Sequence, residues 1–225
     1  MKTFFFDSIY NTQEFALKEL SSEPIFVTSF SQEKGKGTSN REWLNADQGI
    51  ACSLALFEEQ IKIAHTLIPL VAGFAFVKVF QDIDLTLKWP NDIISNEKKV
   101  GGILVEKVKD KICIGMGVNY FWETPPVPNA GSIFNAFQDE TKLKDDAKKL
   151  FPDINREMGS YIKDDSLEKN KDPRIEGNPY LVKGRKAYED DRMGSEGIYY
   201  ATESTRQGNT PNDDLACVRV SPGTA

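Results

Sequence analysis

The segment Lys88-Trp89-Pro90-Asn91-Asp92, followed after a short turn by Lys99-Val100-Gly101-Gly102-Ile103-Leu104-Val105-Glu106, decides the fold prediction. It places a cation, an amide and a carboxylate together at the end of an apolar strand. Pro90 lacks a backbone donor and bends the chain out of the strand. Lys88 and Asn91 are therefore predicted to face a pocket walled by the Val/Ile/Leu-rich strands. A strand end with a plain polar turn is the alternative, which the continuation into a Gly-Gly strand disfavours.

The composition limits the class of protein. The chain has 225 residues, enough for one domain with a small appendage or for two small domains, and its net charge of −6 argues against an electrostatic nucleic-acid binder. His65 is the single histidine of the chain, and this excludes most histidine-dependent catalytic and metal sites. His65 itself lies in an apolar helical context. Cys52, Cys113 and Cys217 are odd in number and widely spaced, which indicates buried thiols in a reducing compartment rather than disulfides or a zinc site.

Two apolar segments are too short to be a signal peptide or a membrane span. The N-terminal run Met1–Phe6 is too short for the apolar core of a signal peptide. The run from Leu67 to Val77 is too short to span a membrane. The sequence therefore predicts a soluble, cytoplasmic protein that binds neither membranes nor nucleic acid.

Hydrophobic periodicity predicts a mixture of strands and helices. The predicted strands are 3–6, 25–30, 50–57, 85–89, 100–108 and 111–119, and the predicted helices are 11–21, 64–81 and 142–158. Asn11 is predicted to cap the first helix with Glu14 completing a capping box, and Pro152 to interrupt the third helix. The turn signal Lys109-Asp110 predicts a hairpin between the last two strands. An α+β fold follows, with helices packed against a sheet.

The glycine-containing segment Ser31 to Asn45 has no apolar period, so it is predicted to be a long loop, and long loops in compact domains are usually functional or disordered. Beyond Tyr120 the pattern weakens: residues 164–177 are a charge run, and only 180–182, 197–201 and 216–220 are strand-like. We therefore predict a main domain at 1–165 and a divergent C-terminal region at 166–225.

Four groups of residues resemble the biotin protein ligases, the biotin–[acetyl-CoA-carboxylase] ligase group, in order and spacing. They are Phe6-Asp7-Ser8 with Asn11-Thr12-Gln13, then Gln32 with Gly35-Lys36-Gly37, Arg41 and Trp43, then the 88–106 segment, and finally Gly115-Met116-Gly117-Val118-Asn119. The resemblance covers the first half of the chain, to about Tyr120. It implies a mixed, largely antiparallel sheet related to the class II aminoacyl-tRNA synthetases. It also implies the ligase-only form, without the DNA-binding domain that some family members carry, and a C-terminal region that is either a small SH3-like β domain or a flexible tail.

The resemblance further implies an activity and a set of site residues. The activity is ATP-dependent formation of biotinyl-5′-AMP and transfer of biotin to a lysine of the biotin carboxyl carrier protein of a carboxylase, with ATP and Mg²⁺ as cofactors and with a homodimer as a common assembly. The residues implied to be catalytic are Lys88 and Arg41. Those implied to bind biotin are Asn11, Thr12, Gln13, Gln32, Gly35, Lys36, Gly37, Lys88 and Gly102. Those implied to bind the nucleotide are Arg41, Trp43, Asn91, Asp92, Gly115, Gly117 and Asn119.

The loop at 35–41 departs from the family's G-R-G-R-x-G-R pattern. Lys36 and Thr38 stand in place of two arginines, and Asn40 in place of the last glycine. A merely flexible polar loop is therefore an alternative for its middle, and Thr12 and Gln13 have an alternative as simple first-turn helix residues. Two other functions stay open: a lipoate or octanoate ligase or transferase, and a catalytically weak protein that binds biotin or nucleotide.

Overall fold

The computed structural model of the protein describes residues 1–80, 82–162 and 217–219. Its strands are β1 (Lys2–Phe6), β2 (Ile25–Ser29), β3 (Gln48–Phe57), β4 (Thr86–Lys88), β5 (Asp92–Ser95), β6 (Lys98–Val108), β7 (Lys111–Phe121) and β8 (Cys217–Arg219). Its helices are α1 (Thr12–Glu19), α2 (Ile68–Val79) and α3 (Glu140–Ile162).

The described strands form one mixed sheet in the order β1-β2-β3-β7-β6-β5-β4-β8. β1 and β2 run parallel, and the other neighbours run antiparallel. β6 and β7 form the predicted hairpin, and Lys109 in its turn has a φ of 57°, the left-handed conformation typical of tight hairpin turns. The predicted α+β fold with a mixed, largely antiparallel sheet is confirmed.

The sheet is covered on both faces because side chains alternate along each strand. In β3, Leu54 and Leu56 belong to the main core, which the sheet forms with α2 and α3, whereas Ala55 belongs to a smaller core under α1. α2 is apolar on nearly all sides, as expected of a buried helix. The side of the sheet that carries α1 is called the α1 face below.

Three details differ from the predicted elements. β5 was not predicted, because its four residues read as part of the turn after Pro90. α3 continues through Pro152 instead of being interrupted. Buried apolar residues on both sides of the proline stabilise both halves of the helix, namely Leu143, Ala147, Ile154 and Met158. Asn11 caps α1 as predicted, but the carboxylate of Glu14 bonds to Lys36 instead of completing a capping box.

The predicted helix at 64–81 is shorter in the structure. α2 begins at Ile68, after a 3₁₀ turn at His65–Leu67, and Pro69 lies in its first turn, where a missing N–H costs little. Of the C-terminal segments, β8 falls within the predicted strand 216–220, while 164–177, 180–182 and 197–201 lie outside the described residues. The division near residue 165 stays a prediction. None of the described helices is both long and apolar enough to cross a membrane.

Tyr120 ties α3 to the sheet. Its side chain is fully buried, and its hydroxyl donates to the carboxylate of Asp146 and accepts from Lys142 Nζ at 3.2 Å. Burial is the main cause that raises the pKa of Tyr120 above its ordinary value.

Tyr120→Phe is expected to lower the free energy of unfolding by about 1–2 kcal/mol, because a buried hydrogen bond is lost. An unfolded tyrosine ionises near pH ~10, whereas folded Tyr120 keeps its proton, so the contribution of the hydroxyl is complete below that pH and shrinks above it. Urea denaturation of both proteins at neutral and alkaline pH measures the difference. A difference that does not shrink at alkaline pH would contradict this account.

Candidate active site

A cavity opens on the α1 face, between the start of α1, the 31–45 loop and the strands β6 and β7. Its lining residues are Thr12, Gln13, Gln32, Lys36, Gly37, Thr38, Trp43, Cys52, Asn91, Lys99, Gly102, Ile103, Leu104, Gly115, Met116 and Gly117. These residues are far apart in sequence, so the cavity exists only in the folded chain.

The floor of the cavity is built from glycines. Gly102 pairs with Gly117 across β6 and β7, and Gly115 lies two residues away on the same face. A Cβ on Gly117 would lie 2.5 Å from the indole of Trp43, and a Cβ on Gly115 would lie 2.6 Å from Gln13 Oε1. The missing side chains therefore allow Trp43 and Gln13 to lie directly on the strands.

Hydrogen-bonding side chains gather where α1 meets the cavity. Gln32 Oε1 accepts from Thr12 N at 2.8 Å and from Thr12 Oγ1 at 2.9 Å, and Ser53 Oγ donates to Thr12 Oγ1 at 2.8 Å. Gln13 Nε2 donates to Leu104 O at 3.4 Å. Thr12 and Gln13 are therefore more than first-turn helix residues, because both line the cavity and are held there by bonds to other elements.

Lys99 brings a cation to the cavity from β6. Its Nζ lies 2.5 Å from Asp92 Oδ1 and 5.5 Å from the centre of the Trp43 ring. Its backbone is held on both sides, since its N–H donates to Asn129 O at 2.8 Å and its carbonyl accepts from Gly131 N at 2.9 Å. Lys99 was not among the predicted site residues, although its place just before Gly101-Gly102 in the matched segment was a usable signal.

The 31–45 loop supplies a second cation, Lys36. Its Nζ lies 2.6 Å from Glu14 Oε1, and this hydrogen bond raises the pKa of Lys36, so the ammonium stays charged. Arg41, in contrast, folds back onto its own loop. Its Nε donates to Thr38 O at 3.2 Å and its Nη2 donates to Thr38 Oγ1 at 3.0 Å. Lys36 is therefore the cationic residue of the loop that lines the cavity, whereas Arg41 does not line it.

The cavity brings together most of the predicted site residues. Those that line it are Thr12, Gln13, Gln32, Lys36, Gly37, Trp43, Asn91, Gly102, Gly115 and Gly117. Those that do not line it are Asn11, Gly35, Arg41, Lys88, Asp92 and Asn119. Lys99 and Thr38 line it without having been predicted as site residues.

Several predicted residues that lie outside the cavity lining support residues around it. Asn11 caps α1 and donates to Lys34 O at 2.6 Å, which attaches the loop to the helix. Asn119 Nδ2 donates to Gly131 O at 2.9 Å and to Lys99 O at 3.4 Å, next to the backbone of the cavity cation. A Cβ on Gly35 would lie 2.6 Å from Trp43 O, so this glycine permits the close approach of the two loop arms.

The segment 88–92 is split by the fold. Lys88 ends β4, is half-buried, and pairs with Asp92 of β5 in the ladder. Asn91 faces the cavity and is tied to β6 in both directions, since Asn91 Nδ2 donates to Ile103 O at 2.8 Å and Ile103 N donates to Asn91 O at 2.8 Å. The amide of this segment thus reaches the cavity, whereas its lysine does not.

Cys52 is the thiol among the lining residues. Burial raises its pKa well above the ordinary value, so Cys52 stays a neutral thiol rather than a nucleophile. Among the residues that the structure describes, no three His, Cys, Asp or Glu side chains converge to hold a metal ion.

Sequence comparisons identify related proteins. Residues 5–119 match the biotin/lipoate A/B protein ligase family. The bifunctional ligase/repressor BirA of Bacillus spizizenii is 32% identical over 136 residues, which cover 55% of this chain and 42% of that protein. The biotin–[acetyl-CoA-carboxylase] ligase of Paracoccus denitrificans is 28% identical over 133 residues, which cover 55% of this chain and 54% of that protein. The chain therefore spans about half the length of these relatives.

Solved structures show the same fold. The biotin protein ligase from Aquifex aeolicus, in complex with biotin and ATP, superposes with a TM-score of 0.62 at 25% identity and covers 76% of each chain. The biotin acetyl coenzyme A carboxylase synthetase from Helicobacter pylori, with bound biotinylated ATP, has a TM-score of 0.57 at 24% identity and covers 72% of this chain and 75% of that one. Since the family match spans just over half of the sequence and the fold agrees with it, this chain belongs to the biotin/lipoate A/B protein ligase family.

Proposed function

We propose that this chain is an ATP-dependent biotin protein ligase. The observation that carries the proposal is a cavity that combines a fixed set of hydrogen-bonding side chains, the cationic residues Lys36 and Lys99, and the flat indole of Trp43. A ligand that suits this set has a polar head group, a negative charge and an aromatic base. Biotinyl-5′-AMP has all three.

The proposed reaction has two steps. A carboxylate oxygen of biotin attacks the α-phosphorus of ATP, and the bond to pyrophosphate breaks. The amine of an acceptor lysine then attacks the acyl carbon of the anhydride, AMP leaves, and the amine loses a proton. Both partners of the first step are anions, so the protein must neutralise charge and hold the reacting atoms in line.

Thr12, Gln13 and Gln32 are assigned to the biotin head group. The ureido ring of biotin offers one carbonyl acceptor and two N–H donors, so it requires both donors and acceptors from the protein. Gln32 Oε1 is occupied by Thr12, which directs the Nε2 donor of Gln32 to other partners. Gln13 and the hydroxyl oxygen of Thr12, which Ser53 holds in place, complete the set.

Lys99 and Lys36 are assigned to the charges of the reacting groups. Asp92 and Trp43 hold the ammonium of Lys99 at the cavity, where a compact cation offsets charge on the biotin carboxylate and the α-phosphate. Lys36 adds a charge-assisted donor from the loop. The predicted catalytic roles of Lys88 and Arg41 stay predictions, and the absence of both from the cavity lining makes Lys99 the first candidate.

Trp43, Asn91 and Gly117 are assigned to the nucleotide, Gly115 makes room for Gln13 on the biotin side, and Asn119 and Asp92 hold Lys99 in place. Mg²⁺ is proposed to arrive with ATP as the ion of its phosphates. The proposed acceptor is the biotin carboxyl carrier protein of a carboxylase such as acetyl-CoA carboxylase, and the proposed compartment is the cytoplasm, where buried thiols such as Cys52 and Cys113 stay reduced. A homodimer is proposed on the resemblance alone.

Biotin-dependent ATP–pyrophosphate exchange tests the first step. Biotin is expected to support exchange at least about 10³-fold better than lipoate or octanoate, since those acids lack the ureido group and would leave buried polar groups unpaired. Faster exchange with lipoate or octanoate would identify a lipoyl-type relative instead. Tight biotin binding without exchange would identify a binder that has lost catalysis. Labelling of a purified carrier domain with release of AMP then tests the second step.

A further inference from the structure

The base of the 31–45 loop is closed by the side chain of Asn45. Its Nδ2 donates to Gln32 O at 2.7 Å, and its Oδ1 accepts from Gln32 N at 3.2 Å. The same Nδ2 lies 3.4 Å from Ser31 Oγ. The amide of Asn45 therefore satisfies both backbone polar groups of Gln32, as a neighbouring strand would.

Gln32 is the cavity residue that this amide holds. It is 9% exposed and lines the cavity, and its side-chain oxygen accepts both hydrogen bonds from Thr12. Its Nε2 makes no hydrogen bond with another residue in the described part of the chain. Because Thr12 fixes the side-chain oxygen and Asn45 fixes the backbone, the Nε2 donor of this cavity residue is held in one direction.

The other hydrogen bonds of the 31–45 loop hold the residues around Gln32, so the backbone of Gln32 itself is held by Asn45. The first arm of the loop is anchored by Glu33 N to Ile9 O at 3.0 Å and by Lys34 N to Tyr10 O at 2.9 Å. The two arms meet near the tip, where Trp43 N donates to Gly35 O at 3.0 Å. Asn45, near the end of the loop, bonds to the backbone of Gln32, near its start. The backbone groups of Gln32 point away from the side on which its neighbour Glu33 bonds to Ile9.

We propose that Asn45 is a positioning residue for recognition of the ligand head group. It does not line the cavity, and it acts by holding the backbone of Gln32 so that the Nε2 donor keeps one direction. The identity of the ligand as biotin rests on the proposed function; the action of Asn45 through Gln32 rests on the hydrogen bonds above.

The test measures biotin affinity by titration calorimetry without ATP, together with kcat and KM in the exchange assay, on the full chain. Asn45→Ala is expected to weaken biotin binding by about 5- to 30-fold, as for the loss of one or two hydrogen bonds, with kcat changed by less than about threefold. Asn45→Asp keeps the shape but faces the Gln32 carbonyl with an oxygen, so it is expected to weaken binding at least as much. The matched control is Asn135→Ala, because Asn135 is exposed. The affinity of this variant for biotin should equal that of the wild type.

A double-mutant cycle separates positioning from general stabilisation. In a Gln32→Ala background, Asn45→Ala is expected to change biotin affinity by less than about twofold, because the residue through which it acts is gone. The inference would be overturned if Asn45→Ala weakened biotin binding by the same factor in the wild type and in the Gln32→Ala protein, or if Asn45→Ala alone left the affinity unchanged. If Asn45→Ala does not fold, Asn45→Asp carries the same cycle. Failure of the wild type to bind biotin would instead refute the proposed function.

Discussion

Lys99→Met is expected to lower the rate of biotin-dependent pyrophosphate exchange by about 10²-fold or more, on the scale of removing one preorganised electrostatic donor. Methionine keeps most of the apolar stem of lysine and removes the charged ammonium with its N–H donors. The ammonium lies in the cavity between Asp92 and Trp43, where charge builds up during adenylation in the proposed reaction. The measurement is kcat for exchange at saturating biotin and ATP.

Two other lysines are compared with Lys99→Met, one as a control and one as the rival candidate. Lys98 is exposed and does not line the cavity, so Lys98→Met should leave exchange within about threefold of the wild type. Lys88→Met decides between the two candidate cations, since the sequence resemblance assigns the role to Lys88 and the cavity geometry favours Lys99. A folded Lys99→Met protein with near-normal exchange, beside a large loss in Lys88→Met, would return the role to Lys88.

Gly117→Ala is expected to raise the KM for ATP by about 10-fold or more, because overpacking of this kind costs about 1–3 kcal/mol. The new methyl group would lie 2.5 Å from the indole of Trp43, so the ring must move off the strand. Gly115→Ala clashes instead with Gln13 at 2.6 Å and is expected to raise the KM for biotin. The two substitutions therefore separate the nucleotide side of the cavity from the biotin side.

Gly159→Ala is the matched control for both glycine variants. A Cβ at Gly159 meets nothing within 4 Å, and the residue lies in α3, so alanine there should be neutral or stabilise the fold slightly. Steady-state kinetics with each substrate, and the fluorescence of the tryptophans, report the changes. Unchanged KM values and unchanged fluorescence in Gly117→Ala would mean that Trp43 does not depend on this glycine.

Much of the fold could be predicted because its elements carry strong local patterns. The mostly apolar sequence of β3 and the continuous apolar run of α2 reflect burial on both sides of each element. The elements that differ are those in which tertiary packing outweighs a local signal. β5 is too short to have a period of its own, and α3 continues past Pro152 because its apolar stripe is buried on both sides of it.

The candidate site was predictable where a residue type is required by close approach or by a fixed local structure. Gly102, Gly115 and Gly117 lie where a side chain would displace Trp43 or Gln13, or crowd Lys99. Most of the residues that differ in placement carry polar side chains that bond elsewhere in the fold. Arg41 bonds back to Thr38, and Asn119 bonds to Gly131 and Lys99 instead of lining the cavity. Long side chains have several rotamers, and the choice depends on partners distant in sequence.

The order of the strands and helices other than β5, the position of the long loop and the four matched segments could be predicted from the sequence alone, because these depend on local periodicity and spacing. Only the tertiary structure decided that Lys99 reaches the cavity and that Lys88 does not. Neighbouring strand residues point to opposite faces, and a register shift such as the one between Ile93 and Ile94, where β5 pairs with β6, reverses which side chains point inward. The register is set by how the paired strands pack together in the folded sheet, which the alternation within one strand does not specify.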